Sequence, residues 1–372
     1  MYSHFLTSIS TLTSHLGAIA KTSPFIMVAI VGIGFIIGFH EFGHFIIGRL
    51  CGLSFHTFSI GFGPKLISRK FLATDFTIAL IPLGGYVEPV EGDHANPTPG
   101  TLAGTSYLKK MLVILGGITF NLIFSYLAFI YLFATGMPSN PFTAHNSSFI
   151  VQEFRTPESP AKRDGLQIND IVIKADGTDV NKKISALQKI IKEHPNKPLT
   201  LTILRDNQEK ELVVTPRAHT VNNDTIGSLD VAFSFKALEP VSLIQSIKEA
   251  YLLTVSIVQS TALSFKNIFK TKSTDGLAGP LGMIATSSTM ARHSFAQFLL
   301  LLAIISIGLA VLNVFPLPIL DGGQVVSYTI EAIMGRPINE KTKMAIHVAC
   351  WVFMLALTIL LTIKDIKMLW SK

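Results

Sequence analysis

Four stretches almost free of charge constrain this chain more than anything else in it. They cover about 25–48, 111–134, 297–315 and 346–363. Each approaches the ~20 residues that a helix needs to cross a bilayer. Only 15% of the 372 residues are charged, where a soluble domain carries about a quarter. The deficit falls in those four blocks, while 145–240 reads like an ordinary soluble segment. The expected architecture is a polytopic α-helical membrane protein with four transmembrane helices, a membrane-associated β-hairpin region and one inserted α+β domain.

The first block contains Phe39-His40-Glu41-Phe42-Gly43-His44. On a helix, His40 and His44 lie one turn apart on one face. Both imidazoles can close on one zinc ion, and Glu41 beside them can take a proton from a water on that ion. Such residues are expensive inside a bilayer and mark a functional site by default. The third block runs into Asn313-Val314-Phe315-Pro316-Leu317-Pro318-Ile319-Leu320-Asp321-Gly322-Gly323. Two prolines break the helix there, and broken backbone at that depth is tolerated only beside protein or a water-filled cavity. Asp321 is the expected third ligand, completing two histidines, a carboxylate and an open position. Its competing reading is the N-cap of a helix over 323–334.

The remaining segments frame that site. From Ser54 to Val90, alternating Phe58, Ile60 and Phe62, then Phe76, Ile78 and Leu80, predict short strands and hairpins. A free edge near Phe58 and Ile60 would take up a substrate segment in extended form; alternatively the hairpin only shields the site. Asn121 in the second block suits an interhelical hydrogen bond or substrate binding. Over 145–220 the pattern of strands, with one helix over Ile184–His194 and a Gly165-Leu166-Gln167-Ile168 loop, resembles a PDZ domain. Such a loop would hold a peptide carboxylate, giving a peptide or an upstream-cleaved substrate end as partner; the domain could equally be a size filter. Residues 221–290 read as an amphipathic linker. Ile244, Ile247, Tyr251 and Leu252 form its apolar stripe, suited to an interfacial helix, and Gly279-Pro280-Leu281-Gly282 reads as a turn. The membrane halves are then 1–136 and 291–372.

Charge fixes the expected orientation. Arg49, Lys65, Arg69, Lys70, Lys109 and Lys110 lie between blocks one and two, and Arg336, Lys341 and Lys343 between three and four. The positive-inside rule puts both loops in the cytoplasm, both termini and the inserted domain outside, and the metal site toward the cytoplasmic face. The net charge of +7 fits this arrangement; no basic helix interleaved with aromatics points to nucleic acid. Cys51 and Cys350 alone make no disulfide framework and no thiolate zinc site. Met1–Ser23 lacks a basic region and a small-residue cleavage site, so no cleaved signal peptide is expected.

HEFGH, Pro82-Leu83-Gly84-Gly85-Tyr86, the inserted domain, Gly279-Pro280-Leu281-Gly282 and NVFPLPILDGG together resemble the site-2 protease family of intramembrane zinc metalloproteases. The bacterial regulator-of-sigma-E-protease type is nearest. The resemblance implies one zinc per chain, a bacterial inner-membrane location, and Asn121 and Asn313 as residues that help bind unwound substrate. Substrates would be single-pass membrane proteins such as anti-sigma factors, or signal-peptide remnants, cut in regulated intramembrane proteolysis. Two other classes compete. A metal transporter would line several spans with ligands, yet outside the first and third blocks only His347 stands near a membrane boundary. A non-catalytic adaptor binding peptides through its PDZ-like domain would need no Glu41.

Overall fold

The computed structural model describes residues 2–93, 96–140, 148–181, 183–221, 224–271 and 279–370. The chain forms two compact units, 1–129 with 250–372, and 130–249. The first begins with helix α1 (Tyr2–Leu50), whose stretch Pro24–Leu50 is apolar enough to span. Strands β1 (Phe55–Phe71) and β2 (Thr74–Pro89) follow, then helix α2 (Tyr107–Thr135).

The β1–β2 pair is one long hairpin where the sequence predicts several short ones. Gly61 and Gly63 do not end the strand. They adopt φ of +94° and +86°, which a side chain would resist, and bend β1 so that it continues. The bend folds the pair on itself. Segment 57–60 pairs with 85–88 on one side and with 75–78 on the other. Phe58 and Ile60 therefore sit in a central segment, and the free edge expected beside them does not exist. The two edges are the segments 85–89 and 65–70.

The second unit is built on β3 (Phe149–Phe154), a short helix α3 (Pro160–Arg163), β4 (Ile171–Ala175), β5 (Thr178–Asp179), α4 (Ile184–Glu193), β6 (Leu199–Arg205), β7 (Gln208–Val214), β8 (Arg217–Val221), β9 (Asp224–Ser228) and β10 (Val231–Phe235). The order in the main sheet is β10-β3-β4-β6-β7, with β5 beside β4. Leu199, Leu201 and Ile203 alternate inward along β6 and join Phe149, Val151, Val172 and Leu187 in a closed core. The sheet does not stop at residue 220. β10 pairs antiparallel with β3, so 221–235 belongs to this unit and not to a linker. Polar residues up to Asp230 hide the strand that follows them.

Past that unit runs α5 (Leu243–Thr271), which is not among the candidate spans. Its buried stripe is Ser246, Ala250, Leu253 and Ile257, whereas Ile244, Tyr251 and Leu252 are exposed. The apolar stripe read from the sequence is thus on the side that faces away from the chain, opposite the buried small residues. The Gly279–Gly282 segment is no simple turn. Pro280 opens helix α6 (Pro280–His293), as proline does at a first helical position. Helices α7 (Phe295–Asn313), α8 (Asp321–Met334) and α9 (Glu340–Trp370) complete the chain. Among the described residues four helical stretches are long and apolar enough to cross a membrane: Pro24–Leu50, Tyr107–Thr135, Phe295–Asn313 and Lys341–Lys367. They coincide with the four charge-poor blocks, as a multi-pass membrane protein requires.

Candidate metal centre

His40 and His44 project from one face of α1 with ring planes at 86° and Nε2 atoms 3.2 Å apart. Asp321 comes to them from the first residue of α8, not from its N-cap, which is Leu320. The chain between α7 and α8 turns back through two prolines and packs on the first turn of α8. Gly322 and Gly323 make that packing feasible, since a β-carbon on either would run into the backbone of Val314, Phe315 or Leu317. The carboxylate thereby reaches 3.1 Å from His40 Nε2 through Oδ2 and 3.4 Å from His44 Nε2 through Oδ1.

These separations fit one small cation. Four ligands about 2.0–2.1 Å from a tetrahedral ion stand roughly 3.3 Å from one another. One donor atom from each of the three residues lies within 4.8 Å of the others. The hydrogen bonds fit as well. His44 Nδ1 donates to the Val113 carbonyl at 2.8 Å, which turns its Nε2 toward the carboxylate and leaves that atom free to ligate in the neutral imidazole. Asp321 Oδ2 is buried and accepts no hydrogen bond, although His40 Nε2 stands 3.1 Å away. Three buried or half-buried ligand-type groups that converge on one point in this way suit ligation of a cation. Space is kept for it by Gly117, whose missing side chain leaves both imidazoles room. A β-carbon there would stand 2.7 Å from His40 Nε2 and overlap His44 Nε2.

The site opens into a cavity of about 420 Å³. Glu41, Asn313, Gly85, Tyr86, Lys110 and Tyr328 are among its walls. Gly85 lies against Glu41: a β-carbon there would be 3.1 Å from Glu41 Cγ. Asn313 closes α7 with Nδ2 3.5 Å from His40 Nε2. The edge segment Gly85–Pro89 thus borders the cavity, while Phe58 and Ile60 do not. Asn121 does not line it either. It is fully buried, with its amide 3.1 Å from His40 Nδ1. Sequence reasoning missed the edge role of the PLGGY segment, which only the folded register reveals.

The loop Gly165–Ile168 is not arranged to hold a carboxylate. Gly165 N–H donates to Lys162, Leu166 N–H to Ala161 and Gln167 N–H to the Asp170 carboxylate at 2.7 Å. Arg205 grips that carboxylate with two bonds of 2.7 Å and also donates to the Gly165 carbonyl. Leu166 is part of the core, and Ile168 is exposed. A cavity in this unit lies elsewhere, between α4 and β10, with Gln188, Lys192, Arg155 and Phe233 among its walls.

Comparison with known proteins agrees with this geometry. The model of peptidase family M50 matches residues 28–357. A Campylobacter jejuni chain that bears a zinc-metalloprotease name is 30% identical over 353 residues, covering 92% of this chain and 93% of the relative. The zinc metalloprotease RasP of Geobacillus kaustophilus is 25% identical, covering 93% and 99%. The chloroplastic membrane metalloprotease ARASP of Arabidopsis thaliana is 28% identical, covering 91% and 78%. With a match over nearly its whole length and a metal-ready His-His-Asp group in its apolar half, the chain belongs to peptidase family M50, the site-2 proteases, and is a membrane zinc metalloprotease.

Proposed function

We propose that this protein hydrolyses peptide bonds within the transmembrane segments of single-pass membrane proteins. Anti-sigma-factor-like proteins or signal-peptide remnants would be its substrates in regulated intramembrane proteolysis. The observation that carries the reading is the cavity shared by His40, His44, Asp321 and Glu41, walled by apolar spans. A zinc ion held by His40 Nε2, His44 Nε2 and the Asp321 carboxylate would supply an acidified water and a Lewis acid for the scissile carbonyl. Glu41 is the proton carrier: its carboxylate takes a proton from the attacking water and returns it to the leaving nitrogen. Asn313 offers an amide N–H on the cavity wall for a substrate carbonyl.

A helical substrate hides its carbonyls in its own hydrogen bonds, so it must unwind before attack. The Gly85–Pro89 edge gives the released strand a backbone to pair with, beside Glu41. The basic loops flanking the first and second spans, and the third and fourth, support placing the catalytic end toward the cytoplasm and 149–235 outside. We read 149–235 as a PDZ-like domain. Its edge strand β10 and the neighbouring cavity with Arg155 and Lys192 suit the carboxyl end of an upstream-cleaved substrate, in place of the 165–168 loop.

The test uses the full chain, reconstituted with a model single-pass substrate. The native enzyme cuts inside the membrane segment, and a zinc chelator stops it. Glu41→Gln retains zinc and loses cleavage, whereas Asp321→Ala loses both. If Glu41→Gln cleaves at the native rate, the assignment is wrong.

A further inference from the structure

The two histidines present Nε2 to one point, but their Nδ1 atoms meet different partners. Val113 offers His44 a carbonyl, which can only accept. His40 meets a carboxamide, Asn121, with Nδ2 at 3.1 Å. Asn121 is wholly buried, and its Oδ1 has no hydrogen-bond partner. The backbone around it is tied down: Ser125 and Ser306 hydroxyls donate to the Asn121 carbonyl at 2.9 and 3.0 Å, and Ser125 also reaches Ala303 O at 2.8 Å. These bonds fasten the second span to the third at the level of His40. So much anchoring for a side chain that does not line the cavity points to a task directed at His40.

With Nδ2 toward His40, the imidazole proton sits on Nε2, aimed into the cluster of ligand atoms. A half-turn of the amide exchanges Nδ2 and Oδ1, which have nearly the same size and shape. Oδ1 then accepts Nδ1–H, and His40 Nε2 becomes a lone pair like that of His44. Metal-ligating histidines almost always donate their second ring N–H in this way.

We propose that Asn121 is the positioning residue of His40: its amide oxygen accepts Nδ1–H and selects the tautomer in which Nε2 can ligate the metal. The proposal rests on the zinc reading above and gives Asn121 a role other than contact with substrate. It predicts that an acceptor at position 121 is required and a donor is not.

Zinc affinity of the full-length protein in detergent, measured by competition with a chelator, tests this. Asn121→Leu, similar in size and without polar atoms, should bind zinc about 10–100-fold more weakly. Asn121→Asp, which can only accept from Nδ1–H, should hold zinc within about threefold of the native protein or more tightly. Native affinity in Asn121→Leu overturns the proposal and leaves the zinc reading intact. Should Asn121→Leu fail to fold, Asn121→Asp decides alone: a loss of tenfold or more means that the amide N–H is the working end. A native chain that binds no zinc removes the metal reading and this inference with it.

Discussion

Gly117 on the second span packs directly against His44 on the first, leaving no room for a β-carbon beside Nε2. The second span therefore shapes the metal site without offering a ligand. Gly117→Ala should lower zinc affinity at least about tenfold, on the scale of other changes beside metal ligands, while the helix itself gains slightly from alanine. Metal content after dialysis against a weak chelator measures it. Full zinc occupancy in Gly117→Ala would mean that the imidazoles do not stand where the structure has them.

Gly85 meets the Glu41 side chain, the proposed proton carrier, by the same kind of close approach. A β-carbon at 85 would meet Glu41 Cγ at 3.1 Å and Ser59 O at 2.9 Å. Gly85→Val should cut turnover by roughly 100-fold, as ~1 Å displacements of reacting groups do, with zinc occupancy unchanged. Turnover and metal content on one preparation separate this from the Gly117 effect. Equal loss of both would refute the distinction.

Asp365, near the end of the fourth span, holds the start of α6. Its Oδ1 accepts Gly279 N–H at 3.1 Å and its Oδ2 accepts Gly282 N–H at 2.8 Å, with the side chain almost wholly buried. A β-carbon on Gly282 would press on that carboxylate at 3.0 Å. Asp365→Ala leaves two helix N-terminal N–H groups without partners and should cost about 1–2 kcal/mol. Asp365→Asn keeps one acceptor and should cost less. Thermal unfolding in detergent would show it, and identical melting of all three proteins would dismiss the capping role.

Glu331 on α8 couples stability to pH. Burial pushes its carboxyl up, but the Lys343 ammonium at 2.8 Å and the Ile338 N–H at 3.1 Å outweigh that and hold it below its ordinary 4.5. A depressed carboxyl stabilises the fold fully above its unfolded value, and that contribution disappears as pH falls through the folded one. Lys343→Met should therefore cost about 1 kcal/mol at neutral pH, given the partial exposure of the pair. Its deficit against the native protein should shrink below pH 4.5. Denaturation at two pH values measures this; a deficit that grows in acid would reverse the sign.

Much of the site was legible in the sequence because its determinants are local. A span is an uninterrupted apolar run, so composition alone locates all four. His40 and His44 share a face because four residues make about one turn. Asp321 stood out because prolines within an apolar block leave few uses for a carboxylate. The β-strands of 149–214 were visible through inward alternation such as Leu199, Leu201 and Ile203.

What the sequence could not supply is which elements become neighbours. Alternation marks 58–62 and 76–80 as strand but not that 57–60 is paired on both sides, nor that 85–89 is left as an edge beside Glu41. The Gly165–Ile168 loop looked free until Asp170 and Arg205 claimed it. Asn121 and Gly117 acquire their meaning only against His40 and His44, and Asp365 only against α6. Periodicity records which face of an element is buried, and so the sequence by itself determined the spans and the HExxH face. The partner on that face is chosen by contacts between residues far apart in the chain, whose energies no local pattern encodes, and so only the tertiary structure decided how the centre is framed.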